Sequence, residues 1–502
     1  MKQVGCATLD GFDAREVDVE VAFVRALPSF SIVGLAQTSI QESRERIKSA
    51  LSAIDFKFPP QKVTVNLSPS DLRKEGSHFD LPIALLIALQ KSDIDFSEYM
   101  VFGELGLDGR LKDSSTLFAI LLSLAREKKI GKVVIPEESL PKISKIPGLE
   151  IYPAATLQEA IDIFTDTQNA RKVLSGASLS YPHITIDGTD YYYTRSFPLD
   201  FYDIKGQESA KRASLIAACG MHNILCEGSP GCGKSMSAKR LPYILPPMSL
   251  DEILEKAKLD ALEGKEPDFK PQRNYRAPHH TATRSSIFGG GSRDAKTGEV
   301  SLANGGLLFF DEIPHFPKTI LESLREPLED HHLLISRVNS KIRYKTKFLF
   351  VAAMNPCPCG NLLSTTKECR CSELEIARYK KRLSSPLLDR IDLYVQMAEI
   401  TPDDKPSIRS EEMFETVLRV FKRQHNRGQS ELNGKLGDRE IGRYCTLDEA
   451  SQHILDQAIM RFSLSQRAIN KTLKVARTIA DIADHETIQK ADLIEALQYR
   501  FR

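Results

Sequence analysis

Gly228-Ser229-Pro230-Gly231-Cys232-Gly233-Lys234-Ser235 is the stretch that decides the fold. It fits G-x-x-x-x-G-K-[ST], a loop that wraps a nucleoside triphosphate. Gly228, Gly231 and Gly233 let backbone N–H groups turn inward around phosphates, with Pro230 shaping the turn. Lys234 adds a point charge near the outer phosphates, and the Ser235 hydroxyl is a ligand for Mg²⁺. The residues that follow read as a helix, so the chain is expected to bind ATP or GTP.

Outward from the loop, short apolar runs alternate with helical stretches. Asn223 to Cys226, Leu307 to Phe310 and Phe348 to Ala353 read as buried strands of a parallel sheet covered on both faces. Leu307-Leu308-Phe309-Phe310-Asp311-Glu312 ends in two carboxylates. Downstream of a phosphate loop, Asp311 suits Mg²⁺ through water and Glu312 suits polarising the attacking water. The bland alternative is a buried strand with an acidic end. The third strand ends at Asn355, whose amide can orient the water or sense the γ-phosphate, although Asn-Pro alone marks a turn. Arg390 follows in Ser385-Pro386-Leu387-Leu388-Asp389-Arg390-Ile391-Asp392. It reads either as an arginine supplied to a neighbouring subunit's phosphate or as a helix-end ion pair with Asp389 or Asp392. Arg467, near a helix start, reads either as a lid arginine reaching the nucleotide or as a solvated residue.

The whole chain has 502 residues, 41% hydrophobic and 27% charged, with a formal net charge of +1. That length allows several domains, and the balance excludes a polycation, so any nucleic-acid contact must come from local basic patches. No signal-like apolar core opens the chain, and the longest apolar run, Leu81 to Leu89, is too short to cross a bilayer, so a cytoplasmic protein without membrane partners is expected. Residues 1–165 read as a mixed α+β domain. Val17, Val19, Val21 and Phe23 alternate as a strand, as do Val63, Val65 and Leu67, while Ser39 to Leu51 and a segment opened by Asp80 read as helices. Residues 166–200 read as a connector and 201–402 as the nucleotide-binding core. Residues 403–502 read as a helical lid, with apolar positions such as Ile469, Leu473, Ala476 and Ala480 on one face.

Four of the nine cysteines crowd into Cys357-Pro358-Cys359 and Cys369-Arg370-Cys371. Four thiolates can close a tetrahedral zinc site, but the paired spacing is one residue shorter than the usual knuckle. Structural zinc, free thiols and a redox pair all fit the spacing. Cys232, inside the phosphate loop, is a candidate site of oxidation.

This order of motifs resembles an AAA+ ATPase. Further stretches are similar to the magnesium-chelatase-like ATPases of the YifB/ComM type. They include Arg276-Ala277-Pro278-His279-His280-Thr281, Gly289-Gly290-Gly291, Leu324-Arg325-Glu326-Pro327-Leu328-Glu329-Asp330, Ala352-Ala353-Met354-Asn355-Pro356 and, near the start, Asp71-Leu72-Arg73-Lys74-Glu75-Gly76. The resemblance implies a multidomain α/β protein: an N-terminal α+β domain with the Lon-protease fold, a P-loop AAA+ core with a parallel sheet, and a C-terminal helical lid. It implies a hexameric ring that hydrolyses ATP with Mg²⁺. Lined up with the Lon pattern, Asp80 and Phe118 fall near the serine and lysine of the protease dyad. Neither suits those roles, so no peptidase activity is expected.

The family's association with DNA branch migration implies a helicase for single-stranded or branched DNA, acting in transformation or recombination. Leu333 to Tyr344 reads as a hairpin before the sensor strand, with Arg337, Lys341, Arg343 and Lys345 as candidate backbone contacts. The alternative is a solvated basic hairpin. Arg378, Lys380, Lys381 and Arg382 form a second basic run. The competing function is a protein-remodelling motor of the magnesium-chelatase kind, which leaves the basic hairpin unexplained.

Overall fold

The computed structural model describes residues 2–176, 179–290, 296–336 and 341–500. The chain divides into two compact units, Met1–Ser180 with Leu254–Phe269, and Tyr181–Ile253 with Lys270–Arg502.

In the first unit, alternation in the opening residues makes a long hairpin. Lys2–Asp10 pairs antiparallel with Asp13–Val24, and Lys62–Ser68 extends it. Val17, Val19 and Val21 are buried, each contributing roughly 1.5–3 kcal/mol. The full sheet has eight strands, in the order Val173–Leu174, Glu150–Ala154, Lys132–Pro136, Tyr99–Val101, Lys2–Asp10, Asp13–Val24, Lys62–Ser68 and Ser29–Val33. The expected helices are present as Thr38–Ala53 and Asp80–Ala88. Asp80 is fully buried. Arg46 Nε donates to its Oδ2 at 2.7 Å, Ser43 donates to Oδ1, and the Leu105 N–H donates to Oδ2 at 3.2 Å. Phe118, also buried, meets Phe269 edge-on at 5.4 Å. Both positions do packing work in this unit.

The stretch 166–200, expected as a connector, is divided between the two units instead. Val173–Leu174 joins the edge of the first sheet beside Glu150–Ala154. His183–Ile186 and Thr189–Tyr192 form a hairpin in the second unit, extended by Met248–Ser249. These strands are two to four residues long and carry no sustained periodicity. Likewise Leu254–Phe269, expected within the core, belongs to the first unit.

The second unit is built on a parallel sheet of five strands, ordered Tyr275–Arg276, Leu307–Phe310, Leu349–Met354, Ile224–Gly228 and Leu393–Met397. Its strands read as continuous apolar runs because helices cover both faces. The core and the helices of the expected C-terminal lid share one hydrophobic cluster. It includes Ile216 of the helix Glu208–Gly220, Val351 and Val395 of the sheet, Val417 of Ser410–Asn426, and Val475 and Ile479 of Gln466–Ile482. No helix among the described residues is long and apolar enough to cross a membrane.

Candidate functional site

The loop after Ile224–Gly228 lies at the carboxyl end of a strand flanked on both sides, where a parallel α/β sheet presents its ligand crevice. Gly233 caps the helix Lys234–Arg240 with φ +97°, a left-handed conformation that costs a side chain dearly. A Cβ built on Gly231 would meet nothing within 4 Å, so the loop is open there. Lys234 Nζ donates to Gly228 O at 2.6 Å, Ser229 O at 3.0 Å and Asn355 Oδ1 at 3.1 Å. The amide at the end of the sensor strand is therefore beside the loop's ammonium. Cys232 does not suit oxidation as expected: it is 2% exposed and faces Gly228, and burial raises its thiol above the ordinary range.

Ser235 Oγ donates to Asp311 Oδ2 at 2.7 Å. A hydroxyl and a carboxylate in contact form a hard-oxygen donor set that fits Mg²⁺. Ser229 Oγ is buried without a hydrogen-bond partner, a polar atom available to a phosphate oxygen. Glu312 follows in the left-handed region at φ 49°, a strain of about 1–3 kcal/mol that turns its exposed side chain out of the strand. The turn is closed by buried Phe310 and Phe316, stacked at 4.2 Å, and His315 within it meets Tyr379 edge-on at 6.1 Å.

Arg390 pairs with neither Asp389 nor Asp392. Its Nη1 donates to Pro386 O at 2.6 Å and its Nη2 to Glu329 Oε2. Arg467, on the Gln466–Ile482 helix, pairs with Glu329 Oε1 at 2.8 Å. Sequence reasoning gave Glu329 no role of its own, although it lies within the family-like run from Leu324 to Asp330. Asp392 instead faces inward: the Asn223 N–H donates to it at 2.8 Å and Lys471 Nζ lies at 3.3 Å. Burial alone would raise Asp392, but Lys471, His222 and Lys435 outweigh it and hold the carboxyl below its ordinary range. Burial pushes Lys435 down to about 8 and His222 down to about 4.

The four cysteines Cys357, Cys359, Cys369 and Cys371 come together, their sulfurs all within 4.8 Å of one another. Three sulfur separations are 3.4, 3.7 and 3.6 Å. Four sulfurs at Zn–S distances of about 2.3 Å define a tetrahedron with edges of about 3.8 Å, so the thiol set fits zinc closely. All four are free of disulfides.

The expected hairpin is present, His332–Ser336 against Lys341–Lys345, with Leu334 opposite Arg343. Arg343 and Lys345 are exposed, while the intervening Tyr344 is buried. Lys341 lies at the strand's start, and Arg337 falls outside the described residues. Of the second basic run, Lys380 pairs with buried Glu227 at 3.0 Å and Arg382 donates to Pro314 O at 3.0 Å.

Three family models match the chain. The model described as magnesium chelatase, subunit ChlI, matches residues 200–405; that of subunit ChlI of Mg-chelatase matches 19–139; and that of the ChlI C-terminal region matches 407–500. The chain is 37% identical over 500 residues to the competence protein ComM of Haemophilus influenzae, covering 98% of this chain and 95% of that protein. It is 36% identical to the uncharacterized protein YifB of Escherichia coli, with the same coverage of 98% and 95%. A shorter match, 27% over 147 residues, joins 28% of this chain to 26% of Lon protease 2 of Bacillus subtilis.

Proposed function

The chain belongs to the magnesium-chelatase-like AAA+ family of the ComM and YifB proteins, and from that premise we propose that it is an ATP-hydrolysing ring motor that moves branched or single-stranded DNA. The observation that carries the reading is the convergence of Lys234, Ser235, Asp311 and Asn355 at the ends of neighbouring parallel strands.

Each residue has a role in this reading. Gly228, Pro230, Gly231 and Gly233 shape the loop around the phosphates, and Lys234 carries the charge that meets them. Ser235 and Asp311 hold magnesium, whose chemistry there is neutralisation of phosphate charge. Glu312 takes the proton of the attacking water, and Asn355 orients that water against the γ-phosphate. Arg390 serves a neighbouring protomer's phosphate, and Arg467 joins it from the helical region. The active assembly is then a ring, with six protomers as the family implies.

Arg343 and Lys345, exposed on their hairpin, neutralise backbone phosphates without reading bases, together with Lys341 at the start of the strand and with Arg337, which lies outside the described residues. The name of the Haemophilus relative, a competence protein, supports action during DNA uptake. The N-terminal unit has the Lon-protease fold but is no peptidase, because Asp80 and Phe118 are committed to an ion pair and to core packing. The four cysteines hold structural zinc.

ATP turnover with and without forked DNA is the test. Strong stimulation at low salt is the expected result. Turnover indifferent to every DNA form would overturn the DNA reading and favour a protein-remodelling motor.

A further inference from the structure

The cysteine cluster touches the phosphate loop. Gly360, next after Cys359, has φ +81°, and a Cβ built there would lie 2.6 Å from Cδ and 2.7 Å from Cγ of Pro230. Only a glycine allows the backbone here to approach the Pro230 ring so closely. The Gly360 N–H donates to Cys357 O at 3.0 Å, so the contact belongs to the turn that presents the first pair of thiols. Cys357 itself is fully buried, two residues beyond Asn355, whose Oδ1 accepts from Lys234 at 3.1 Å.

The second pair of thiols is tied through a helix to the strand that leads into the same loop. Ser372, next after Cys371, caps the helix Glu373–Lys380 in a capping box with Glu375. At the far end of that helix Lys380 pairs at 3.0 Å with Glu227, a buried residue of the strand that feeds the phosphate loop. Tyr379 packs against His315 in the turn that carries Glu312. Segment 357–371 therefore begins against Pro230 and ends on a helix anchored to Glu227. The four sulfurs are the point at which its two arms are joined.

We infer that the four-cysteine cluster is a brace for the phosphate loop, so that metal occupancy and nucleotide affinity are coupled. This rests on the zinc and ATP assignments above. With the sulfurs clasped on one ion, Gly360 is fixed against Pro230 and Asn355 is held at Lys234. Without the ion, the arms are joined by the chain between them and by the weak hydrogen bonds of their thiols, and the loop must be ordered when nucleotide binds. Coupling of this kind is reciprocal: whatever factor zinc adds to nucleotide affinity, nucleotide adds to zinc affinity.

The test uses the full chain as purified. Zinc content is measured first. Zinc affinity is then measured by competition with a chelator, with and without saturating ADP, and the affinity for a fluorescent ADP is measured before and after zinc removal. The expected result is about one zinc per chain, tighter zinc with ADP by about tenfold, and ADP weakened by the same factor on zinc loss. In Lys234→Ala, which loses the phosphate contact, the ADP effect on zinc disappears. Should zinc be bound but its affinity be the same with and without ADP, the brace is wrong and the metal assignment stands. A chain that neither carries nor takes up zinc overturns the metal assignment, and the brace falls with it. The chelator competition starts from the folded, zinc-loaded chain, so it separates these outcomes even if the stripped protein unfolds.

Discussion

Arg467 pairs with Glu329 at 2.8 Å, and the other oxygen of the same carboxylate takes Arg390. One carboxylate thus holds two guanidinium groups that lie 77 positions apart in the chain, since 467 − 390 = 77. Arg390 is 10% exposed and Arg467 64%, so the inner arginine is the better fixed of the two. The pairing puts both arginines on one face.

If that face meets a neighbour's phosphates, Arg390→Ala lowers kcat by about 10³ while KM for ATP changes little. The decisive measurement mixes two inactive variants. A ring containing both Arg390→Ala and Glu312→Gln protomers has some sites where an intact Glu312 faces an intact Arg390 of the adjacent protomer. Steady-state ATPase of the mixture is expected to exceed the sum of the separate variants. Strict additivity would place Arg390 in its own protomer's chemistry.

Glu312→Gln and Lys234→Ala are expected to fail differently. The first keeps the phosphate loop and the Ser235–Asp311 pair, so nucleotide affinity persists while turnover falls by about 10²–10⁴. The second removes the charge that reaches Gly228, Ser229 and Asn355, so affinity itself is lost. Fluorescent-nucleotide titration beside phosphate release separates the two; equal loss of affinity in both variants would deny Glu312 its role as base.

The chemistry at strand ends was legible because each motif is local: a loop, two carboxylates after an apolar run, an amide after another. What the sequence hid is what depends on distant partners. Tyr275–Arg276 is a strand of two residues, visible only beside Leu307–Phe310. Leu254–Phe269 leaves the core's sequence neighbourhood because Lys258 lies over Phe12 and Phe269 meets Phe118, contacts that no periodicity announces. Glu329 forms no recognisable motif by itself, and its importance rests on two arginines far along the chain. Gly360 merely follows the first cysteine pair in the sequence, whereas its lack of a side chain matters to Pro230.

The buried charges behind the phosphate-loop strand predict acid sensitivity. His222 is fully buried, hydrogen-bonded to Thr478 Oγ1 at 2.7 Å, and faces Asp392, Lys435, Lys471 and Lys474. Its folded pKa of about 4 lies below the ordinary 6.5, so between those values the unfolded chain binds more protons. Stability therefore falls as pH drops from 6.5 towards 4, by about 2 kcal/mol from this residue between pH 7.5 and 5. His222→Gln should be less stable at neutral pH but flatter over that range. Urea midpoints at both pH values check this, and an unchanged slope in the variant would assign the acid sensitivity elsewhere.

The basic hairpin makes the most exposed prediction. Tyr344 and Leu333 are buried, which anchors the strands, while Arg343 and Lys345 stand on the exposed side. Exposed cations that only solvate a surface contribute nothing to DNA affinity, whereas cations on backbone phosphates release counterions when they bind. For single strands each such contact contributes about 0.7 to the slope of log affinity against log salt. Arg343→Ala with Lys345→Ala is thus expected to reduce that slope by about 1.4, and to weaken binding alike for every sequence tested. Fluorescence anisotropy with labelled oligonucleotides across a salt series reads both quantities. A slope that stays put would make the hairpin a solvated surface, and the grip on DNA would have to be sought on another element of the ring.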